Sequence, residues 1–431
     1  MSIFGIRFDS RSIATFCCLL GLLAGATHAA PEQVQNPDPP HLFLPKSSLG
    51  PEDLAVIVND EDPLSVQIGE YYKTRRGIPE ANMVHVRFAG GASVMPRAEF
   101  ARIRAEVERK TPEPVQAYAL TWAAPYRVDC MSITSAFALG FDEAYCSRQC
   151  GPTKPSPYFN SASHMPHTDL KLRPTMALAG TSLHNVKALI DRGIASDHTH
   201  PGGTAYLLST PDKARNVRAF IFPELAKSLS GLLDVKLLEQ DAIRDKKDVL
   251  FYFTGLMHVP GLDTLDFVPG AMADHLTSTG GQLTDSGQMS SLRWLEAGAT
   301  GSYGTVVEPC NHLAKFPNPA LAMHLYLRGE SLIEAYWKSV AWPGEGIFIG
   351  EPLANPFGGY TMSTEGRDVT VRTQALEPGV YGLISAPSLV GPYHAEPGVV
   401  QVGPGMNELR LRNLDKPVYR LVKVPPRGLG R

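Results

Sequence analysis

LAVIVND, Leu54 to Asp60, is a run of apolar and largely β-branched residues without polar alternation, and VLFYFTG, Val249 to Gly255, is a second. A strand of that kind must be covered on both faces, which is the condition of strands in a parallel sheet packed between helices. Helical patterns separate these runs. Pro63 to Gly77 carries apolar residues at Val66, Ile68 and Tyr72 and closes with Arg75, Arg76 and Gly77, a helix C-terminus signal. MVHVRF then reads as a strand, Phe100 to Lys110 as a charged amphipathic helix, and VQAYALTW as a third strand. The alternation resumes with SLHNVKALIDRG as helix, TAYLLST as strand, and Ala214 to Leu232 as mostly helix. VLFYFTG, LDFVPGAM and ATGSYGTVVEP follow as strands, with a helix over Gln288 to Ala297 and one or two over Pro319 to Trp337. Strand and helix in alternation predict an α/β domain with a parallel sheet.

Two stretches break this rhythm. Cys130 to about Pro174 is rich in Ser, Pro, His and Tyr and reads as a long ordered insertion, a place where function commonly sits. From about Asp368 the runs become short and alternating (VTVRTQAL, GVYGLIS, GVVQV, NELRLRNL, VYRLVKV), as in a small antiparallel β unit. The expected organisation is a leader over 1–30, a Pro-rich lead-in over 31–50, an α/β domain over 51–362 containing the insertion 130–174, and a β-rich domain over 363–431.

The leader carries Arg7 and Arg11 ahead of an apolar run from Ile13 to Ala26, with small residues at Ala24, Ala26 and Ala29 as cleavage sites. It predicts export to the periplasm or the medium, without a membrane anchor, because no later segment has eighteen uninterrupted apolar residues. A net charge of -3 and no basic block give no reason to expect nucleic acid as a partner. Beyond the leader stand Cys130, Cys146, Cys150 and Cys310. An even number in an oxidising compartment favours disulfides. Cys146 and Cys150 are close enough to close a small loop, which would leave Cys130 for Cys310; three connectivities are open.

Ligands of parallel sheets bind beyond the carboxyl ends of the strands. Asn59 to Asp62, Pro125 to Arg127, His258, Asp274 and His275, and Glu308, Cys310 and His312 stand at such ends. Two chemistries suit them. Cys310 would be a nucleophile if His258, His275 or His312 acted as its base; the bland alternative is that Cys310 is half of a structural disulfide. Asp274, His275, Glu308 and His312 would instead hold a divalent metal ion with a position open for water. Asp197, His198 and His200 form a looser cluster, and no HExxH spacing supports either set. No GxxxxGK[ST] and no GxGxxG after a strand is present, so no phosphate loop is read, and the lack of a GxSxG elbow counts against an α/β-hydrolase serine enzyme. Tyr336, Trp337, Trp342 and Phe348 would line a pocket or fill the core.

EYYKTRRGIPEANMVHV, ADHLTSTGG, WLEAGATGSYGTVVEPCNH with KFPNP, and EAYWKSVAWPGEGIFIGEPLANPF resemble an uncharacterised family of exported bacterial proteins, over about Leu54 to Phe357. More distantly, the order of elements is similar to the gingipain-type cysteine peptidases of the caspase-like fold, in which a histidine follows one strand and the nucleophilic cysteine the next. VLFYFTGLMH resembles the histidine-bearing strand and places that imidazole at His258. The following strand ends in Ala273, Asp274 and His275 instead of cysteine, Cys310 stands one strand later, and Val259 replaces the glycine expected after the histidine. The resemblance implies a caspase-like or flavodoxin-like domain followed by a small β domain, and a peptidase-like hydrolase. The alternative is a non-catalytic binding protein on the same scaffold.

Overall fold

The computed structural model describes residues 40–147 and 149–425. The leader, with Cys17 and Cys18, and residues 31–39 of the lead-in lie outside the described residues.

Ten strands form the central sheet. β2 (Leu54–Asn59), β3 (Met83–Val86), β4 (Ala117–Leu120), β7 (Thr175–Ala177) and β13 (Gly346–Gly350) run parallel to one another. So do β8 (Thr204–Ser209), β9 (Asp234–Glu239), β10 (Val249–Thr254), β11 (Phe267–His275) and β12 (Gly301–Thr305). The order is β3-β2-β4-β7-β13-β12-β11-β10-β8-β9, and the two parallel blocks meet antiparallel at β12 and β13. The carboxyl ends of the blocks therefore point to opposite rims. Asn59 to Asp62 and Pro125 to Arg127 do not share an edge with His258, Asp274 and Glu308.

Local chemistry explains the elements. Every residue of β2 and of β10 is buried, as unalternating apolar runs require. In β10, Phe251 and Phe253 join one core layer and Val249 and Tyr252 the layer on the other face. α1 (Pro63–Arg76) starts at Asp62, whose side chain accepts from the Leu64 amide at 2.9 Å, with Pro63 in the first turn. It ends at Gly77 in the left-handed region, φ 66°, which costs a glycine little. Gly255 after β10 is required by space: a Cβ there would lie 1.9 Å from the Arg215 carbonyl oxygen.

α2 (Arg97–Lys110) and α5 (Leu183–Ser196) cover the sheet as expected, α5 with Val186, Leu189 and Ile190 inward. The helix expected over 214–232 divides into a 3-10 segment, Asn216–Ile221, and α6 (Phe222–Ser228). α7 (Leu292–Ala297), α8 (Pro319–Leu327) and α9 (Leu332–Ser339) complete the later part. Tyr336, Trp337 and Phe348 are core, with Trp337 stacked on Phe348 at 4.3 Å.

The 130–174 stretch is less of a loop than its composition suggests. After the small hairpin β5 (Arg127–Val128) and β6 (Met131–Ser132) it folds α3 (Ile133–Leu139), buried from Ile133 to Ala138 against β7 and β13. α4 (Pro166–Leu170) follows near its end. Cys146 and Cys150 do not close the expected small loop: Cys130 pairs with Cys146, and Cys150 with Cys310. Gln149 and Cys150 both have positive φ, 49° and 64°, and Cys150 bonds across to Cys310 from this left-handed turn.

The remaining strands are antiparallel except for one pair. β1 (His41–Phe43) runs parallel to β19 (Val418–Lys423) in a sheet of order β1-β19-β16-β17, where β16 is Gly379–Ala386 and β17 is His394–Val402. β14 (Thr361–Glu365), β15 (Asp368–Thr373) and β18 (Asn407–Leu411) form a second sheet, and Leu42, Val371, Tyr381, Leu409 and Leu421 pack together in one core.

Candidate functional site

β10, β11 and β12 are neighbours, so the strand ends that carry His258, Asp274, His275 and Glu308 do share one rim. Their side chains do not share one space. Alternation along β11 sends Asp274 and His275 to opposite faces. Asp274 is buried and meets Arg218 of the 216–221 segment at 2.5 Å. The same guanidinium donates to the Thr254 carbonyl at 2.8 Å. Burial pushes the Asp274 carboxyl up and Arg218 pulls it back, and its Oδ2 has no hydrogen-bond partner.

His275 is equally enclosed. Trp294 Nε1–H can only donate, so Nδ1 of His275 accepts from it at 2.9 Å. The proton therefore sits on Nε2, which donates to the Met289 carbonyl at 3.1 Å. Burial lowers its pKa to about 3 and keeps the ring neutral. Both nitrogens are used, so this imidazole is placed to fill a core and not to move a proton.

At the end of β12 the chain turns sharply. Glu308 is exposed, and its carboxylate accepts from the Cys310 amide at 2.8 Å across the turn. Cys310 has φ 53°, and its sulfur is bonded to Cys150. His312 turns away from that sulfur: its Nε2 lies against the Cys150 carbonyl, and its ring packs on Trp342 at 5.7 Å. His258 is exposed.

A cleft of about 370 Å³ opens at this rim, walled by Arg215, Thr277, Ser278, Glu308, Asn311 and the Cys150–Cys310 bridge. Arg215 is fixed there, its Nε donating to Thr277 Oγ1 at 2.9 Å and its Nη1 pairing with Asp212 at 2.9 Å. Thr277 in turn donates to Gln288 at 2.6 Å. Arg215, Thr277 and Cys150 were not among the residues expected from sequence. The signal for the first two was their place just beyond TAYLLST and LDFVPGAM; nothing local marked Cys150.

The expected metal set is not assembled, since Asp274 and His275 face inward on opposite sides while Glu308 and His312 lie in the turn beyond β12. Asp197 is taken by Arg76 and by the Asn355 amide, at 2.9 Å for the latter, and does not join His198 and His200. Among the described residues, the carboxylates and imidazole whose ligand atoms lie within 4.8 Å of one another are those of Glu330, Glu334 and His164. Lys338, fully buried, stands in that cluster with Nζ 2.8 Å from Glu330 and 3.9 Å from Glu334. Its ammonium takes the place a cation would occupy. Burial works to raise the Glu334 carboxyl, but His164, Lys338 and Ser331 outweigh it and bring it down to about 2.

No family model and no curated protein matches the chain. A solved structure described as "Structure of Protease" aligns with 88% of this chain and 98% of its own at 10% identity and a TM-score of 0.35. Among the described residues no helix is long and apolar enough to cross a membrane.

Proposed function

We propose that this chain is a binding protein whose ligand enters the cleft beyond β11 and β12, on a flavodoxin-like or caspase-like scaffold without a working peptidase centre. The block β9-β8-β10-β11-β12 supports the scaffold: in chain order it reads 2-1-3-4-5, the flavodoxin-like order, in which ligands sit at the switch point between the first and third strands. Here that switch point, between β8 and β10, is filled by Arg218 and its bonds to Thr254 and Asp274. The open space lies one strand over, where Arg215, Thr277, Ser278 and Asn311 offer hydrogen bonds to a small polar ligand and Glu308 adds one carboxylate.

The observation that carries this reading is the bond between Cys310 and Cys150 in the cleft wall. A thiolate is the nucleophile of cysteine catalysis, and a disulfide sulfur is not one. Two bridges in a chain whose leader predicts export fit an oxidising compartment. The test is alkylation and turnover. Native protein should show no iodoacetamide-reactive thiol at these four positions and should not cleave fluorogenic peptides, with or without mild reductant. Cleavage that disappears in Cys310→Ala would restore the hydrolase. Conversely, soaking with a panel of small polar metabolites should give thermal shifts lost in Arg215→Ala.

A further inference from the structure

A second cleft, of about 400 Å³, lies away from this rim, where the antiparallel strands rest on the α/β body. Several parts of the chain build it: the loop before β8, Leu232 ahead of β9, the end of α8, Phe357 ahead of β14, and the turns before β16 and β18. Its walls are apolar, with Leu232, Leu327, Phe357 and Leu376 among them, and prolines at 201, 378 and 404. The polar groups that face it are His200, His324, Arg328 and Gln374; no carboxylate lines it. Arg328 donates one side-chain bond, to Glu330 at 3.1 Å, so most of its N–H groups are left for a guest. Nδ1 of His200 is buried and makes no hydrogen bond, with the Gln374 side chain standing beside the ring.

His200 is held by the fold rather than by chance. Its backbone is in the left-handed region, φ 46°, and its amide donates to the Pro356 carbonyl at 2.9 Å. The ring packs edge-on to Phe357, with centroids 6.4 Å apart. Burial lowers its pKa, so the ring is neutral near pH 7 and can donate or accept. A concave, mostly apolar cleft with a few convergent polar groups is the usual form of a small-molecule site. Among the described residues the charged group on the wall is Arg328, which keeps donors beyond its bond to Glu330, and the buried Nδ1 of His200 makes no hydrogen bond.

We propose that this cleft binds a small monocarboxylate with an apolar body, its carboxylate on Arg328 and His200 and its body between Leu232, Leu327, Phe357 and Leu376. The site is independent of the cleft beyond β11 and β12 and does not rest on the function proposed for it.

Titration calorimetry of the full chain with sodium octanoate at pH 7.5, with 1-octanol as the uncharged probe, tests this. Octanoate should bind one site, with octanol at least 10-fold weaker. Arg328→Gln should weaken octanoate 10-fold or more and leave octanol unchanged. Because Arg328 also pairs with Glu330, a second variant guards against misfolding: Leu232→Glu, at a side chain 46% exposed, should weaken octanoate selectively by placing a negative charge at the wall. Octanoate that fails to bind, that binds no better than octanol, or that binds both variants as tightly as the parent overturns the proposal.

Discussion

At the scale of single residues, the decisive groups are those that the fold has sealed. His275 is neutral in the folded protein, with a pKa of about 3, and titrates near 6.5 when unfolded. A pKa lowered by folding means that the unfolded chain binds a proton that the folded one refuses. The stability is thus fully present above about pH 6.5 and is lost as pH falls toward 3, at roughly 1.4 kcal/mol per pH unit for this one proton. Urea unfolding between pH 7 and 4 should show it, and His275→Gln should remove one proton from the slope. An unchanged slope would mean that the ring is not enclosed as described. Lys338 gives a second test. Removing the buried ammonium leaves Glu330 with Arg328 alone and Glu334 with His164 and Ser331, so Lys338→Met should cost about 3 kcal/mol in denaturant unfolding, the low end for a broken buried pair. Adding Glu330→Gln should recover part of that loss, because it removes the carboxylate nearest the lost ammonium.

At the scale of elements, legibility in the sequence followed the strength of local pattern. β2 and β10 declared themselves because all six residues of each are buried, and α1 because Asp62, Pro63 and Gly77 mark both its ends. β7 is only three residues, TMA, and β13 reads GIFIG with glycine at both ends, so neither offers a pattern to find. α3 was hidden for the opposite reason, being buried nearly all round and so lacking a polar stripe. Cysteine pairing is a matter of backbone direction, and the positive φ values at Gln149 and Cys150 are not written in any spacing rule. The pairing can be checked by non-reducing peptide mapping, which should find Cys130 with Cys146 and Cys150 with Cys310. Chain entropy ranks the two bridges: separations of 16 and 160 residues correspond to about 3 and about 5 kcal/mol of stabilisation. Cys150→Ser with Cys310→Ser should therefore lower the unfolding midpoint in denaturant more than Cys130→Ser with Cys146→Ser.

At the scale of the whole molecule, the candidate site was legible only in part. The carboxyl ends of β10, β11 and β12 share a rim as their sequence order suggested, yet the groups expected to cooperate there are separated by β11 alternation and by the turn at Cys310. Which face a side chain takes beyond a strand end depends on where the strand stops, and that is the least legible quantity in a sequence. The antiparallel seam between β12 and β13 was equally invisible, since it joins segments that no local rule connects. Arg215 tests this scale, because it links β8, β11 and the cleft through Asp212 and Thr277. Arg215→Ala should leave the fold standing, with a loss of no more than about 1–2 kcal/mol, as expected for a half-buried hydrogen-bonded group. Far-ultraviolet circular dichroism and the thermal midpoint would report any larger collapse.

The parallel pairing of β1 with β19 couples the two ends of the described chain. Because β19 lies between β1 and β16, that four-stranded sheet has no centre until residues 418–423 have been made. A chain cut short by even this one segment would present β1 and β16 as bare edges, ready to pair with any neighbour in the same state. Deletion of residues 418–423 should therefore show as aggregation rather than as a quiet loss of one strand.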